Sequence, residues 1–113
     1  MSEYLILIHQ DQEKVQTPEM WAQLGVEHQK FGENNAHALR GGNPLQPTST
    51  ATSIRGDGNG AFTVTDGPFV ETKEALGGYY LIEAADLDEA LAIAKQVPAS
   101  FGGVEVRPIL TLA

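Results

Sequence analysis

The chain has 113 residues, 42% hydrophobic and 19% charged, which is typical of one globular domain spanning residues 1–113. Fifteen acidic residues against seven basic ones give a net charge of −8, so neither nucleic acid nor an anionic membrane surface is an expected partner. The absence of cysteine excludes disulfides and thiolate metal sites. The apolar run Tyr4–Ile8 is too short for a signal sequence or a membrane span, and we expect a cytoplasmic protein.

The first part of the chain predicts a buried strand and then a long helix. Glu3–His9 is short, apolar and partly β-branched, which is typical of a central strand buried on both faces. Thr17 and Pro18 suit the N-cap and the first position of a helix, and Asn34-Asn35 suits its end. This helix carries a stripe at spacings of three, four and three that should face a sheet. The stripe consists of Trp21, Leu24, His28 and Phe31.

The middle of the chain predicts an irregular strand and a β-hairpin. His37–Leu45 contains the sequence GGNP, which indicates a strand interrupted by a bulge or a turn. Thr48–Arg55 is rich in β-prone residues, and Ala61–Thr65 is the expected returning strand. Between them, Gly56–Gly60 holds the Asp-Gly and Asn-Gly pairs that are typical of hairpin turns.

A tight turn follows the hairpin. Asp66–Phe69 has the Asp, Gly and Pro that turns favour, and Val70–Leu76 is rich in helix-forming residues. We therefore predict one or two helical turns over Val70–Leu76, ended by Gly77-Gly78. Tyr79–Ala84 is then a strand, with its two tyrosines on opposite faces.

The last part predicts a second long helix and a final strand. Asp86 is the expected N-cap with Glu89 as its capping-box partner, and Pro98 stops the helix. Val104–Leu110 is the final strand. The predicted buried face of the helix consists of Leu87, Ala90, Leu91, Ala94 and Val97.

The order of these elements predicts a ferredoxin-like α+β sandwich. It would have an antiparallel sheet, two long helices on one face and an extra β-hairpin. The other face of such a sheet needs a cover, and a second copy of the chain would supply it. We therefore expect a homodimer.

The segment Asp66–Pro98, DGPFVETKEALGGYYLIEAADLDEALAIAKQVP, resembles the DGPF-domain proteins of the YCII-related family. Leu45–Pro47, Thr50–Arg55 and Val104–Ile109 are similar to other marks of that family. The resemblance implies a ferredoxin-like fold that dimerises in the style of dimeric α/β barrels, in a bacterial cytoplasm. Members encoded beside genes for extracytoplasmic-function sigma factors also suggest a sigma-factor-linked regulator as a partner.

The resemblance also implies candidate catalytic residues. In the wider family a His and an Asp facing a cleft are suggested as an acid–base pair, and one branch acts as a dehydrochlorinase on a chlorinated hydroxyquinol. The catalytic His of that branch follows an Arg-Pro at the start of the first helix, where this chain has Thr17-Pro18 instead. The candidates here are Asp66 with His28 or His9. Their structural alternatives are a turn-forming Asp, a core or interface His, and an exposed strand-end His.

Four further residues are candidate ligand contacts. They are two cations near the DGPF turn and the tyrosine pair of the following strand: Arg55, Lys73, Tyr79 and Tyr80. No metal site is expected, because His9, His28 and His37 are spaced by nineteen and nine residues, which matches no compact ligand motif. No nucleotide fingerprint is present, so no cofactor is expected.

Three functions remain open from the sequence. The first, slightly favoured, is a dimeric module that binds a small metabolite or a regulatory protein in a cleft near the DGPF turn. The second is a cofactor-independent enzyme, lyase or dehydrochlorinase-like, that uses a His/Asp pair on a small aromatic or carboxylated substrate. The third is a purely architectural role for the DGPF motif.

Overall fold

The structure, a computed structural model, describes residues 1–112, which form an α+β fold with antiparallel sheets and two α-helices. Four strands make one sheet in the order β2-β5-β1-β6, and β3 pairs with β4 in a separate hairpin. This arrangement is compatible with the predicted ferredoxin-like fold. The elements are β1 (Ser2–Gln10), α1 (Pro18–Asn34), β2 (Leu39–Pro44), β3 (Thr52–Gly56), β4 (Phe62–Asp66), β5 (Ala75–Ala84), α2 (Leu87–Ala94) and β6 (Gly102–Pro108).

Strand β1 is central, with β5 on one side and β6 on the other. Its Ile6 lies opposite Tyr80 of β5 and Val106 of β6. Because side chains alternate along a strand, Tyr4, Ile6 and Ile8 share one face, and all three are buried. The alternate residues Leu5 and Leu7 are half-buried, so the single chain buries one face of this strand fully and the other face in part.

The hydrophobic core joins β1 and β5 to residues of both helices. Phe31 of α1 and Ala90 of α2 belong to the same buried cluster as Ile6 and Ile82. The predicted buried face of α2 is wrong in part, because Leu87 and Leu91 are exposed. The residues of α2 that are buried are Ala90, Ile93 and Ala94, and Val97 is buried just beyond its end.

The predicted helix caps are confirmed. Thr17 Oγ1 accepts a hydrogen bond from the backbone N–H of Met20 at 3.1 Å. Asp86 Oδ1 accepts one from the N–H of Glu89 at 2.9 Å, and the Glu89 carboxylate accepts one from Ala85 N–H. These short-range bonds satisfy N–H groups that have no partner inside a helix.

The predicted hairpin and the irregularity of β2 are confirmed, but the first strand of the hairpin begins only at Thr52, because Thr48–Thr50 forms a short 3-10 helix. Asp57 Oδ1 accepts hydrogen bonds from the N–H groups of Asn59 and Ala61, and Gly58 and Gly60 have φ angles of 85° and 91°, a region that favours glycine. In β2 the register against β5 shifts after Leu39, as the glycine-rich sequence predicted.

The predicted helix over Val70–Leu76 is wrong. No helix forms there, and β5 already begins at Ala75, where Ala75 and Leu76 pair with the end of β1. A helix of seven residues gains few hydrogen bonds for the cost of its nucleation. Pairing with a central strand is therefore favoured over local helix propensity, and Gly77 and Gly78 lie within a strand instead of ending a helix.

Candidate functional site

A cleft of about 490 Å³ lies between α1 and the three strands β1, β2 and β5. Helix α1 contributes Trp21, Gly25 and His28 to its wall, and β5 contributes Tyr79 and Tyr80. The strands β1 and β2 complete it with Ile8, Gln10 and the segment Gly42–Leu45. The cleft therefore gathers residues from four elements that are far apart in the sequence.

Glycine at position 42 permits the close approach of β2 to β5 at the floor of the cleft. A Cβ atom at Gly42 would lie 2.6 Å from Tyr80 Cδ1 and 2.7 Å from the Tyr79 carbonyl oxygen. Both distances are too short for any side chain, and the second involves backbone that cannot rotate away. The tyrosine pair can therefore keep its position only beside glycine.

The polar centre of the cleft is a contact between His28 and Tyr80. His28 Nδ1 lies 2.7 Å from Tyr80 Oη, which is hydrogen-bond distance. The Tyr80 ring also packs on the buried Phe31, which lies about one helical turn after His28; the two ring centroids are 4.8 Å apart. Packing and hydrogen bonding together hold the phenol and the imidazole in a fixed arrangement.

Burial keeps both members of this pair uncharged. It lowers the pKa of His28 below its ordinary value, and the opposing influence of Glu27 on this pKa is smaller. Burial raises the pKa of Tyr80. Among the described residues, those that line the cleft carry no Lys, Arg, Asp or Glu side chain. The site is consequently a neutral, largely apolar cleft with a neutral His–Tyr pair.

Three of the predicted site residues meet at this cleft: His28, Tyr79 and Tyr80. The Tyr79 phenol oxygen accepts a hydrogen bond from Asn43 Nδ2 at 3.0 Å, so each of the two tyrosines has a different polar partner. What these residues do for function remains a prediction, because no contact with a ligand tests it.

The other predicted residues lie elsewhere. Asp66 is exposed at the end of β4, and Lys73 is exposed between β4 and β5. The Arg55 guanidinium stacks over the Phe69 ring, 4.4 Å from its centroid. The described chain thus does not bring Asp66 into the cleft with His28.

His9 belongs to a different face of the sheet from the buried β1 residues. Its Nε2 atom lies 3.3 Å from Glu105 Oε1 on the neighbouring strand β6. It therefore does not join His28 at the cleft, and its catalytic role remains a prediction.

Trp21 and Gly25 are the features of the cleft that sequence reasoning missed. The helical stripe predicted Trp21 as a residue facing the sheet, but 46% of it is exposed at the cleft. Gly25 lies three residues before His28, and a Cβ atom there would meet nothing within 4 Å. The sequence did contain a sign of this opening. Gly25 lies among the apolar residues of a helix, a position where glycine weakens the helix.

Neither a metal cluster nor a membrane span marks the described part of the chain. Residues 1–112 hold no group of three or more His, Asp or Glu side chains that could bind a metal ion. No helix among them combines the length and the apolarity needed to cross a bilayer.

Comparison with known proteins identifies relatives. An uncharacterised protein of Rhizobium meliloti (strain 1021) is 48% identical over 68 residues, which is 58% of this chain and 54% of that protein. The matched part thus spans about half the length of the relative. The model of the YCII-related domain matches residues 2–113, nearly the whole sequence. The chain therefore belongs to the YCII-related domain family.

Proposed function

We propose that this protein binds a small molecule in the cleft between α1 and the sheet, with His28 as the polar anchor. The observation that carries the proposal is the neutral His28–Tyr80 pair in the wall of an uncharged cleft of about 490 Å³. Small-molecule sites typically measure roughly 300–1,000 Å³ and combine apolar walls with a few fixed polar groups. The cleft has this size and this composition.

The glycine in the wall of the cleft supports binding over a purely architectural role. Inside a helix, glycine is less favourable than alanine by about 0.8–1.0 kcal/mol. Gly25 lies inside α1, and a Cβ atom there would touch no neighbour within 4 Å. Internal packing therefore gives no reason for a glycine here, whereas an open cleft does.

Trp21 provides the readout for a test of binding. It is the single tryptophan of the chain and it lines the cleft, so its fluorescence should respond when a compound enters. A fragment library with neutral, anionic and cationic members should yield compounds that shift its emission saturably.

Two leucine variants on α1 then show whether these compounds occupy the cleft. Gly25→Leu places a side chain in the cleft and should abolish the response. Ala22→Leu adds the same side chain at an exposed position outside the lining and should preserve it. A library without a single saturable response, or binding that survives in Gly25→Leu, would contradict the proposal.

A second candidate is a cofactor-independent enzyme, lyase or dehydrochlorinase-like. Burial that lowers the pKa of His28 keeps its imidazole neutral near pH 7, and only this form can take up a proton. Since Asp66 does not line the cleft, Tyr80 would orient the imidazole in its place by accepting a hydrogen bond from Nδ1–H, the tautomer that leaves Nε2 free to take up the proton. Chloride release from a chlorinated hydroxyquinol, lost in His28→Gln, is the expected result, and its absence in the unmodified protein would contradict this candidate.

We also propose that both helices cover one face of the sheet and that a second copy covers the other, in the style of dimeric α/β barrels. The half-buried Leu5 and Leu7 alternate with buried residues on β1, and Leu5 lies opposite Leu81 of β5. Together they form an apolar strip outside the core. Sedimentation should show a dimer that Leu7→Lys dissociates, and a monomer at micromolar concentration would contradict it.

The cytoplasmic location and the sigma-factor-linked partner remain predictions.

A further inference from the structure

We infer that the ligand of the cleft is a neutral, largely apolar carbonyl compound, whose oxygen accepts a hydrogen bond from His28 Nε2–H. The inference rests on the proposed function and specifies its ligand class. It depends on three properties of the site: the tautomer of His28, the accessibility of its Nε2 atom, and the charge of the lining.

Tyr80 determines the tautomer of His28. Burial keeps both groups neutral, so a single hydrogen joins Nδ1 and Oη. A phenol O–H is a stronger acid than the N–H of a neutral imidazole, and an imidazole nitrogen is a stronger base than a phenol oxygen. The favoured hydrogen bond therefore runs from the Tyr80 hydroxyl to Nδ1, which leaves the ring hydrogen on Nε2.

The reverse arrangement is less favourable for a second reason. If Nδ1–H donated to Tyr80, the phenol hydrogen would need another acceptor. Within residues 1–112, His28 Nδ1 is the one hydrogen-bond partner of Tyr80 Oη. Burying part of a donor without giving it an acceptor is unfavourable, so the arrangement that uses the phenol hydrogen is preferred.

The resulting Nε2–H group is available to a ligand. In the described chain, Nε2 of His28 has no hydrogen-bond partner, and it is not among the side-chain atoms that are buried without one. The ring lines the cleft and is half-buried. A donor in this position is best satisfied by an acceptor such as a carbonyl oxygen.

The lining disfavours charged ligands. The side chains around the cleft that the structure describes provide no ion-pair partner, while Arg55 and Lys73 lie outside it. A carboxylate or ammonium group would lose its hydration without compensation. The net charge of −8 adds a repulsion for anions. A neutral acceptor avoids both costs.

Two other polar side chains of the wall already donate to protein groups. Gln29 Nε2 donates to Glu33 Oε1, and Asn43 Nδ2 donates to Tyr79 Oη. Gln10 is the remaining amide that lines the cleft. The apolar part of the wall consists of Ile8, Trp21, Leu24, Pro44 and Leu45. A mostly apolar molecule with one main acceptor therefore matches the wall.

Three probes of similar size test the ligand class: acetophenone, ethylbenzene and benzoate. Their binding is followed by the nuclear magnetic resonance signal of the Trp21 indole N–H. Acetophenone should bind about fivefold more tightly than ethylbenzene, as a hydrogen bond worth roughly 1 kcal/mol implies. Benzoate should bind most weakly. Equal binding of ethylbenzene and acetophenone, or tighter binding of benzoate, would overturn the inference while leaving the cleft a binding site.

Two variants assign the effect to His28. His28→Leu should reduce the affinity for acetophenone to that for ethylbenzene, so that the roughly fivefold difference between the two probes disappears. In ¹⁵N spectra of the histidine ring, the unmodified protein should carry its hydrogen on Nε2, and Tyr80→Phe should weaken this preference. A hydrogen found on Nδ1 would overturn the inference. If no probe shifts the Trp21 signal and the fragment library also fails, the proposed function falls together with the inference.

Discussion

The two helices differ in how completely they fill the space against the core. Helix α2 has eight residues and buries three of them, Ala90, Ile93 and Ala94. Helix α1 has seventeen residues but buries only Leu24 and Phe31. The cleft lies along α1, and none of its lining residues comes from α2. The comparison teaches that open space remains where the packing of a small core is left incomplete.

The largest effect is expected at the residue that attaches α1 to the core. Phe31 is 3% exposed and its ring packs against Tyr80, so Phe31→Ala should lower the free energy of unfolding by about 3–5 kcal/mol. Urea denaturation followed by circular dichroism measures this change. Val26→Ala, on the same helix at 61% exposure, should change it by less than about 0.5 kcal/mol. Equal losses in the two variants would contradict the assignment of Phe31 as the anchor.

A smaller loss of stability is expected when a larger side chain is placed in the core next to α2. Ala90 is 0% exposed, so Ala90→Leu should destabilise the fold by about 1–3 kcal/mol through displaced neighbours. The matched variant Ala22→Leu, on the exposed surface of α1, should be close to neutral. Thermal unfolding compares the two. A neutral Ala90→Leu would mean that the α2 side also contains free space.

Adding one methyl group on the α1 side should raise the stability of the protein instead of lowering it. Gly25→Ala should stabilise the protein by up to about 1 kcal/mol, since alanine favours the helix and the new Cβ meets no neighbour. Gly32→Ala should gain a similar amount, because its Cβ would lie at an ordinary 3.9 Å from Leu39 Cδ1. Only the Gly25 variant should weaken acetophenone binding. Destabilisation by Gly25→Ala would show that the site is not open.

The smallest effect concerns pH. Because burial lowers the pKa of His28, the unfolded chain takes up a proton at a higher pH than the folded chain. Above the pKa of about 6.5 that His28 has in the unfolded chain, its titration does not change the free energy of unfolding. As the pH drops through that value, the free energy of unfolding falls.

Comparison of the unmodified protein with a glutamine variant isolates this contribution. His28→Gln should flatten the decline in stability between about pH 8 and pH 5. Urea denaturation at a series of pH values measures both slopes. Equal slopes in the unmodified protein and His28→Gln would contradict a penalty for charging this imidazole.

Sequence reasoning succeeded where structure is decided locally. The caps at Thr17 and Asp86 and the turn at Gly56–Gly60 depend on residues only a few positions apart, and the structure confirms all three. The predicted helix over Val70–Leu76 failed because pairing of β5 with β1 is a long-range interaction that local propensity does not contain.

For the candidate site, too, sequence reasoning predicted the local features and missed the long-range contacts. The helical stripe placed His28 toward the sheet, and alternation placed the two tyrosines on opposite faces. The contact between His28 and Tyr80 joins residues 52 positions apart, so it required the strand register to be known. The placement of Asp66 away from His28 likewise depends on the hairpin forming its own small sheet, which no short motif encodes.

That separate hairpin has a consequence for how the molecule opens. The pair β3 and β4 shares no strand ladder with the four-stranded sheet, and Ile54, Phe62 and Val64 on it are exposed. A two-stranded ribbon has little independent stability in water. In hydrogen–deuterium exchange of the isolated chain, its amides should therefore lose protection well before those of β1, through a local opening that leaves the larger sheet intact.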